Sequence, residues 1–366
     1  MKLPNIVKTS AVLLSLALSP APVFAQRMHG GPGKTSTIAS TVPSNGDLNP
    51  YGLVRVPKTT GSLVEGNLLI SNFNDSNNLQ GTGTTIVQIT PGGTVTLFSQ
   101  INANTLPGSC PGGVGLTTAL SVLKTGWVIV GSLPTTDGTS ATAQAGCLLV
   151  LDSNGNVVET FYGSLINGPW DMATWDDGGT ANLFVTNVLN GTVAGGGNIV
   201  RQGTVVRITI NQTQTVMPSI ESMTVVGSGF AERTDPAALV IGPTGAGLSP
   251  DGSTLYVADA LFNRVVAIPE PLTRVTSAGN GAVVLQGADL DDPLGLAVAT
   301  NGNILVTNGA NGFLLTITPD GSEIGKNILD ENGTPPGNGA LFGVVGVPGW
   351  GIYYVDDATN TLNLFN

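Results

Sequence analysis

Short apolar segments recur along the chain, and each ends in a small or polar residue. Six such segments are Leu68–Asn72, Val128–Gly131, Leu183–Asn187, Leu255–Asp259, Ile304–Asn308 and Tyr353–Asp356. Their closing residues are separated by 59, 56, 72, 49 and 48 positions. A recurring apolar strand with a period of about 40–50 residues, plus insertions, is typical of the blades of a β-propeller.

A second apolar strand follows each of these segments, and several of the strands run into turns rich in Gly, Asp, Asn and Pro, such as Pro91-Gly92-Gly93 and Pro319-Asp320-Gly321. Such residues supply the positive φ angles that tight hairpins require. The sequence therefore predicts an all-β fold, a six-bladed β-propeller. A two-sheet sandwich is the alternative, although its strands would not repeat at this period.

The two ends of the chain are expected to close the ring. The last unit stops at its third strand, because the sequence ends at Asn366. A spare strand-like run, Thr35 to Val42, precedes the first unit at Pro50. We predict that this N-terminal strand completes the last blade and so removes an exposed sheet edge.

Two stretches carry a resemblance to known propellers. Residues 248–259, Leu-Ser-Pro-Asp-Gly-Ser-Thr-Leu-Tyr-Val-Ala-Asp, and residues 292–298, Asp-Pro-Leu-Gly-Leu-Ala-Val, resemble the blades of NHL-repeat proteins and of the SMP-30/gluconolactonase-like family. The resemblance implies a six-bladed ring, but such rings serve many functions.

The hydrolases of the SMP-30-like family hold a divalent metal with a carboxylate near the first blade, an Asn and an Asp. The resemblance makes Asp259 a candidate metal ligand. Tyr51-Gly52-Leu53 stands where the first-blade carboxylate is expected, and Pro243-Thr244-Gly245 stands where the Asn is expected. Only one of the three ligands is therefore matched.

The first residues are typical of an exported protein. Lys2 and Lys8 precede an apolar core, and Val23-Phe24-Ala25 resembles a signal-peptidase site. We predict a signal peptide over residues 1–25, a single domain over residues 26–366, and a secreted or periplasmic location without a membrane anchor. In that setting Cys110 and Cys147 are expected to form a disulfide rather than two buried thiols.

The composition limits the partners and the chemistry. The net charge of −11 disfavours nucleic acid, which binds clustered Lys and Arg. His29 is the sole histidine and lies near the predicted cleavage site, so a Ser/His/Asp or Cys/His catalytic arrangement is not expected.

One face of the ring is the expected binding face. The loops before the first strand and after the second strand of each blade lie on the same side, and the latter are long in the first three blades. Such loops carry function or are tolerated insertions. The closing Asn and Asp residues cap turns, or some of them converge on a metal. The candidate ligand-binding residues are Tyr51, Trp170, Asp171, Asp235, Asp292 and Phe342.

These observations lead to two functional hypotheses. The first is a secreted, non-enzymatic propeller, without a cofactor, that binds an extracellular protein, peptide or glycan through exposed aromatic residues; Trp170 and Phe342 would otherwise pack between blades. The alternative is a metal-dependent hydrolase or lactonase of the SMP-30-like class, with a divalent ion such as calcium as its cofactor.

Overall fold

The computed structural model describes Met1 and residues 33–366, and nearly all of its regular structure is β-strand. The strands of the N-terminal half, which form one separate strand and the first three blades, are β1 (Thr35–Ser40); β2 (Leu48–Arg55), β3 (Leu68–Asn74), β4 (Thr85–Ile89) and β5 (Val95–Gln100); β6 (Leu116–Val122), β7 (Val128–Ser132), β8 (Cys147–Leu151) and β9 (Val157–Phe161); and β10 (Pro169–Asp176), β11 (Thr180–Asn187), β12 (Val200–Asn211), β13 (Ser219–Asp235) and β14 (Leu239–Ile241).

The C-terminal half forms three more blades from β15 (Pro243–Leu248), β16 (Thr254–Asp259), β17 (Arg264–Pro269) and β18 (Ala282–Gln286); β19 (Pro293–Val298), β20 (Ile304–Asn308), β21 (Phe313–Ile317) and β22 (Glu323–Ile328); and β23 (Leu341–Val347), β24 (Gly351–Asp356) and β25 (Thr361–Phe365). Three short 3₁₀ turns interrupt the loops at Ala103–Thr105, Ser140–Thr142 and Ala260–Phe262.

The described residues form six antiparallel sheets, which confirms the predicted six-bladed propeller. The second and third strands of the first blade are completely buried, whereas an outer strand such as β22 alternates between half-buried and exposed positions. The apolar side chains of neighbouring blades pack against each other and form successive cores around the ring. Burial of each such Leu, Ile or Val contributes about 1.5–3 kcal/mol before the entropy of ordering is subtracted.

Hydroxyl groups at the ends of the second strands join one blade to the next. Ser71 donates a hydrogen bond to the carbonyl of Thr117 at 2.7 Å, Thr186 to that of Thr244 at 2.8 Å, and Thr307 to that of Phe342 at 2.6 Å. Each acceptor belongs to the first strand of the following blade, namely β6, β15 or β23. The repeated Ser or Thr before the closing Asn is therefore an inter-blade link.

The closing Asn residues have a structural role of the kind that short polar side chains at strand ends often have. The Asn72 amide donates to the carbonyl of Thr41 at 3.2 Å, and the Asn308 amide donates to that of Asp289 at 2.8 Å. These bonds satisfy backbone carbonyls beside the strand ends.

The chain ends close the ring as predicted. Strand β1 pairs antiparallel with β25, from Thr35 opposite Phe365 to Ser40 opposite Thr361. The sixth blade therefore has the order β1-β25-β24-β23, and its outer strand comes from the N-terminal side of the domain.

The third blade departs from the expected four strands. Strand β13 runs for 17 residues and folds back through a short turn into β14, so this sheet has five strands. Asp235, a candidate residue of the expected binding face, lies at the tip of the β13–β14 hairpin, opposite Leu239.

The predicted disulfide is present. The Cys110 and Cys147 sulfur atoms are 2.11 Å apart and join the start of the second blade to strand β8. Among residues 33–366, no helix has the length and apolar character needed to cross a bilayer. The predicted signal peptide and His29 lie outside the described residues.

Candidate functional site

A cavity of about 550 Å³ opens on the face that carries the loops before the first strands and after the second strands. The loop after β3 and the β13–β14 hairpin form one side of the cavity, and residues of the fourth, fifth and sixth blades form the other. The cavity therefore lies on the face that the sequence marked as the expected binding face.

The long loops of the first two blades and the β13–β14 hairpin of the third blade bind one another and form a wall beside this cavity. The backbone N–H of Thr135 donates to the carbonyl of Gly81 at 3.0 Å, and the Thr135 hydroxyl donates to that of Gln80 at 2.5 Å. The Gln80 amide donates to the carbonyl of Ala237 at 3.1 Å, which links the first-blade loop to the third-blade hairpin. These hydrogen bonds thus join the loops into one continuous surface.

Four aromatic side chains fill the centre of the ring beneath the cavity. Tyr51 stacks on Phe342 with ring centroids 3.8 Å apart and on Phe73 at 4.6 Å, and Trp170 meets Tyr51 edge-on at 5.6 Å. Tyr51, Trp170 and Phe342 are only 4–5% exposed. The expectation that these three residues offer exposed stacking surface is wrong, because their rings pack on one another; Tyr51 and Phe342 nevertheless line the cavity floor.

Asp292 is held in the cavity wall by its backbone. Its φ angle is +51°, its N–H donates to Asn263 Oδ1 at 2.8 Å, and its carbonyl accepts from the N–H of Gly309 at 2.7 Å. The carboxyl group lines the cavity, and none of the described residues donates a hydrogen bond to it. Burial, assisted by the negative charges of Asp235 and Asp291, raises the pKa of Asp292 to about 7.

Asp357 is a second carboxyl group, half-buried, at the same cavity. It follows β24 directly, and burial, with the charge of Asp356 as a smaller cause, raises its pKa well above the ordinary value. The Tyr51 hydroxyl lies close to these carboxyls. Burial raises the pKa of Tyr51 well above 10, and the charges of Asp357 and Asp292 add to the effect.

Arg233 is the one cationic side chain that the described part of the chain contributes to the cavity. Its guanidinium lies 2.9 Å from Asp235, and both side chains are partly exposed. Asp291 also lines the cavity, and its carboxylate is 3.5 Å from the Asn263 amide. The site thus contains four aspartates and one arginine.

Asp171 lies away from the cavity. Its Oδ2 accepts the backbone N–H of Ala246 at 2.9 Å and so joins the third blade to the fourth. The side chain is buried, and this burial raises its pKa to about 7 against the lowering effect of its backbone donors. The structure therefore brings four of the six candidate ligand-binding residues to the cavity, namely Tyr51, Asp235, Asp292 and Phe342; their part in binding stays a prediction.

The described residues do not fit the divalent metal that the SMP-30-like resemblance implies. Asp259 is fully buried and is paired with Arg264, whose Nε donates to Asp259 Oδ2 at 2.7 Å. Tyr51 and its aromatic neighbours fill the centre of the ring beneath the cavity with apolar surface. A hard cation would instead require several converging oxygen ligands there. Within residues 33–366, no group of three His, Cys, Asp or Glu side chains is placed to hold a metal ion.

The sequence reasoning missed Arg233, Asn263 and Asp357. Asp357 follows the closing residue Asp356, and an acidic pair at a strand end does not show which carboxyl faces the channel. The ion pair of Asp259 had a readable signal, because a tight turn after β16 places Arg264 directly opposite Asp259 in the hairpin.

Comparisons with known proteins agree with the fold. Residues 137–334, more than half of the chain, match the family described as SMP-30/Gluconolactonase/LRE-like region. No curated protein matches the sequence.

Solved structures with the same fold include a gluconolactonase from Xanthomonas campestris, with 12% identity, a TM-score of 0.54, and coverage of 91% of this chain and 89% of that one. A calcium-binding protein from Agrobacterium tumefaciens, regucalcin, has 13% identity and a TM-score of 0.56, with 90% and 93% covered. Virginiamycin B lyase from Staphylococcus aureus has 11% identity and a TM-score of 0.53, with 91% and 99% covered. At these identities the likeness concerns the fold alone.

The family match corrects one expectation from the sequence. The main hypothesis was a non-enzymatic binding propeller, and it is wrong, because the matching family is named for an enzyme, gluconolactonase. The sequence signal for that family lies in the fourth and fifth blades, at residues 248–259 and 292–298, whereas the metal ligands of its hydrolases are poorly matched.

Proposed function

Because the chain belongs to the SMP-30/gluconolactonase/LRE-like family, we propose that it is a hydrolase that opens a lactone, or cleaves a related ester, in the cavity on the loop-bearing face. The observation that carries the proposal is the carboxyl group of Asp292. It faces the cavity, is held by a fixed backbone, and lacks a hydrogen-bond donor among the described residues.

Asp292 is the proposed general base. A carboxyl group with a pKa of about 7 is substantially ionised near neutral pH and still basic enough to take a proton from water. The water oxygen would form a bond to the carbonyl carbon of the substrate while Asp292 accepts the proton. When the carbon–oxygen bond of the ring breaks, the protonated Asp292 would return the proton to the leaving alkoxide, so that the product is the hydroxy acid.

Arg233 is the proposed electrostatic partner of this step. As the tetrahedral intermediate forms, negative charge develops on the former carbonyl oxygen, and a preorganised cation stabilises that charge. The guanidinium of Arg233 lines the same cavity and is held by Asp235. No step of this mechanism passes through a metal ion, because the donor set described above does not fit one.

The proposal is tested by hydrolysis of a panel of γ- and δ-lactones and aryl esters, followed by acid release. The Asp292→Asn variant should lower kcat by about 100-fold or more, which is the usual effect of removing a general base. It should remain folded, because it changes only a half-buried carboxyl group that lacks a hydrogen-bond donor among the described residues. Asp320→Asn, in an exposed turn between β21 and β22, is the control and should keep the rate.

Two results would sink the proposal. One is a wild-type protein that hydrolyses no member of the panel faster than buffer does. The other is an Asp292→Asn variant as active as the Asp320→Asn control.

We also propose that the protein acts outside the cytoplasm, in a secreted or periplasmic setting. The Cys110–Cys147 disulfide supports this, because such bonds persist in oxidising compartments. N-terminal sequencing of protein recovered from the culture medium or periplasm should begin at residue 26.

A further inference from the structure

The cavity holds more carboxyl groups than its own cationic side chains can pair. Four aspartates line it, and the single arginine among its described lining residues is engaged with Asp235 at 2.9 Å. Arg264 of the fourth blade is not available to them, because it is paired with Asp259. Asp291, Asp292 and Asp357 are therefore left without a cationic partner of their own.

Two of these carboxyls are unusual in a second way. Asp292 and Asp357 are half-buried at the cavity surface, and the described residues offer neither side chain a hydrogen-bond donor. Burial of a carboxylate without a donor or a countercharge is costly. A group that enters the cavity and supplies both would remove that cost.

The surroundings favour an organic cation over a metal ion. Tyr51, Leu294 and Phe342 contribute apolar surface to the lining, which suits the carbon skeleton of an organic ligand. Within residues 33–366, no three His, Cys, Asp or Glu side chains are grouped to hold a metal ion.

We propose that the substrate carries a protonated amine, which binds between the carboxylates of Asp291 and Asp357 and places the lactone or ester beside Asp292. The inference rests on the proposed hydrolase function. It goes further by assigning the substrate class as cationic lactones or esters, in preference to neutral or anionic ones.

The test uses lactams, which resemble lactones in shape and resist hydrolysis, so that binding is measured apart from activity. The probes for calorimetry are 3-amino-2-pyrrolidinone (ammonium), 2-pyrrolidinone (neutral) and pyroglutamate (carboxylate). The ammonium probe should bind about tenfold tighter than the neutral one, a difference of about 1.4 kcal/mol, and pyroglutamate should bind most weakly.

The variants assign the effect to residues. Asp357→Asn and Asp291→Asn should each remove most of the ammonium preference while leaving the affinity for 2-pyrrolidinone nearly unchanged. Asp320→Asn removes the same charge from the exposed β21–β22 turn and should preserve the preference.

Equal affinities for the ammonium and neutral lactams would overturn the proposal, as would a preference that survives both cavity variants. Saturable binding of Ca²⁺ that displaces the ammonium lactam would overturn it in favour of a metal. Failure of the hydrolase proposal would give a different result, because lactone hydrolysis would then be absent while the ammonium lactam still binds.

Discussion

Replacement of Glu232 by Gln should change how the stability of the protein depends on pH. Glu232 lies in β13 with no exposed surface. One carboxyl oxygen accepts the N–H of Asn190 at 3.1 Å, while the other has no hydrogen-bond partner within the described structure. Burial raises the pKa of Glu232 to about 8, although the hydrogen bond from Asn190 opposes the shift.

The sign follows from proton linkage. The folded state holds this proton more tightly than the unfolded state does, because the folded pKa is raised. The free energy of unfolding therefore decreases as the pH rises from the unfolded pKa, about 4.5, toward the folded value. When the pH rises from about 5.5 to about 8.5, a single carboxyl with these two pKa values lowers the free energy of unfolding of the wild type by about 3 kcal/mol.

The assay is urea unfolding of both proteins at the two pH values, with tryptophan fluorescence as the signal. The difference in free energy of unfolding between Glu232→Gln and wild type should shift in favour of the variant by up to about 3 kcal/mol from the lower to the higher pH. Asp171, Asp292 and Asp357 titrate in both proteins, so their contributions cancel in this double difference. Glu221→Gln, at an exposed position of the same strand, is the control and should track the wild type. Parallel pH dependences for wild type and Glu232→Gln would refute the reasoning.

Three further predictions concern the fold. Deletion of residues 35–42 should lower the Tm by roughly 10 °C, because β25 becomes an open edge; an unchanged Tm in thermal unfolding by circular dichroism would contradict ring closure by β1. The Cys110→Ser/Cys147→Ser double variant should lose about 4 kcal/mol in urea unfolding, as expected for a loop with a sequence separation of 37; equal stability of the two proteins would refute this. Trp170→Ala should lower the free energy of unfolding by about 3–5 kcal/mol, since the side chain packs against Tyr51 and Phe342. A change in ligand affinity without a loss of stability would show that Trp170 is not a core residue.

The repeat made the fold predictable from the sequence. Each apolar second strand came with a closing Asn, Asp or Gly, and the missing last strand pointed to Thr35–Val42 as the closing segment. The extra strand β14 was not predictable in this way, because it has three residues and forms only by folding back on the unusually long β13.

The functional site was harder to predict from the sequence than the fold. The binding face followed from strand direction, and Asp235 and Asp292 were found because they stand at turns on that face. The direction in which a side chain points within the channel is set by blade tilt and by the neighbouring blades, so the mutual burial of Tyr51, Trp170 and Phe342 could not be read. The importance of Asp357 over Asp356 depends on the same geometry.

The pH dependence of kcat/KM for hydrolysis of the best lactone substrate tests the central claim most directly. If Asp292 is the general base, the rate should rise with pH and level off with an apparent pKa of about 7, and Asp292→Asn should lose both the rate and this titration. A rate that increases only with hydroxide concentration, or a pH profile that Asp292→Asn leaves unchanged, would contradict the claim.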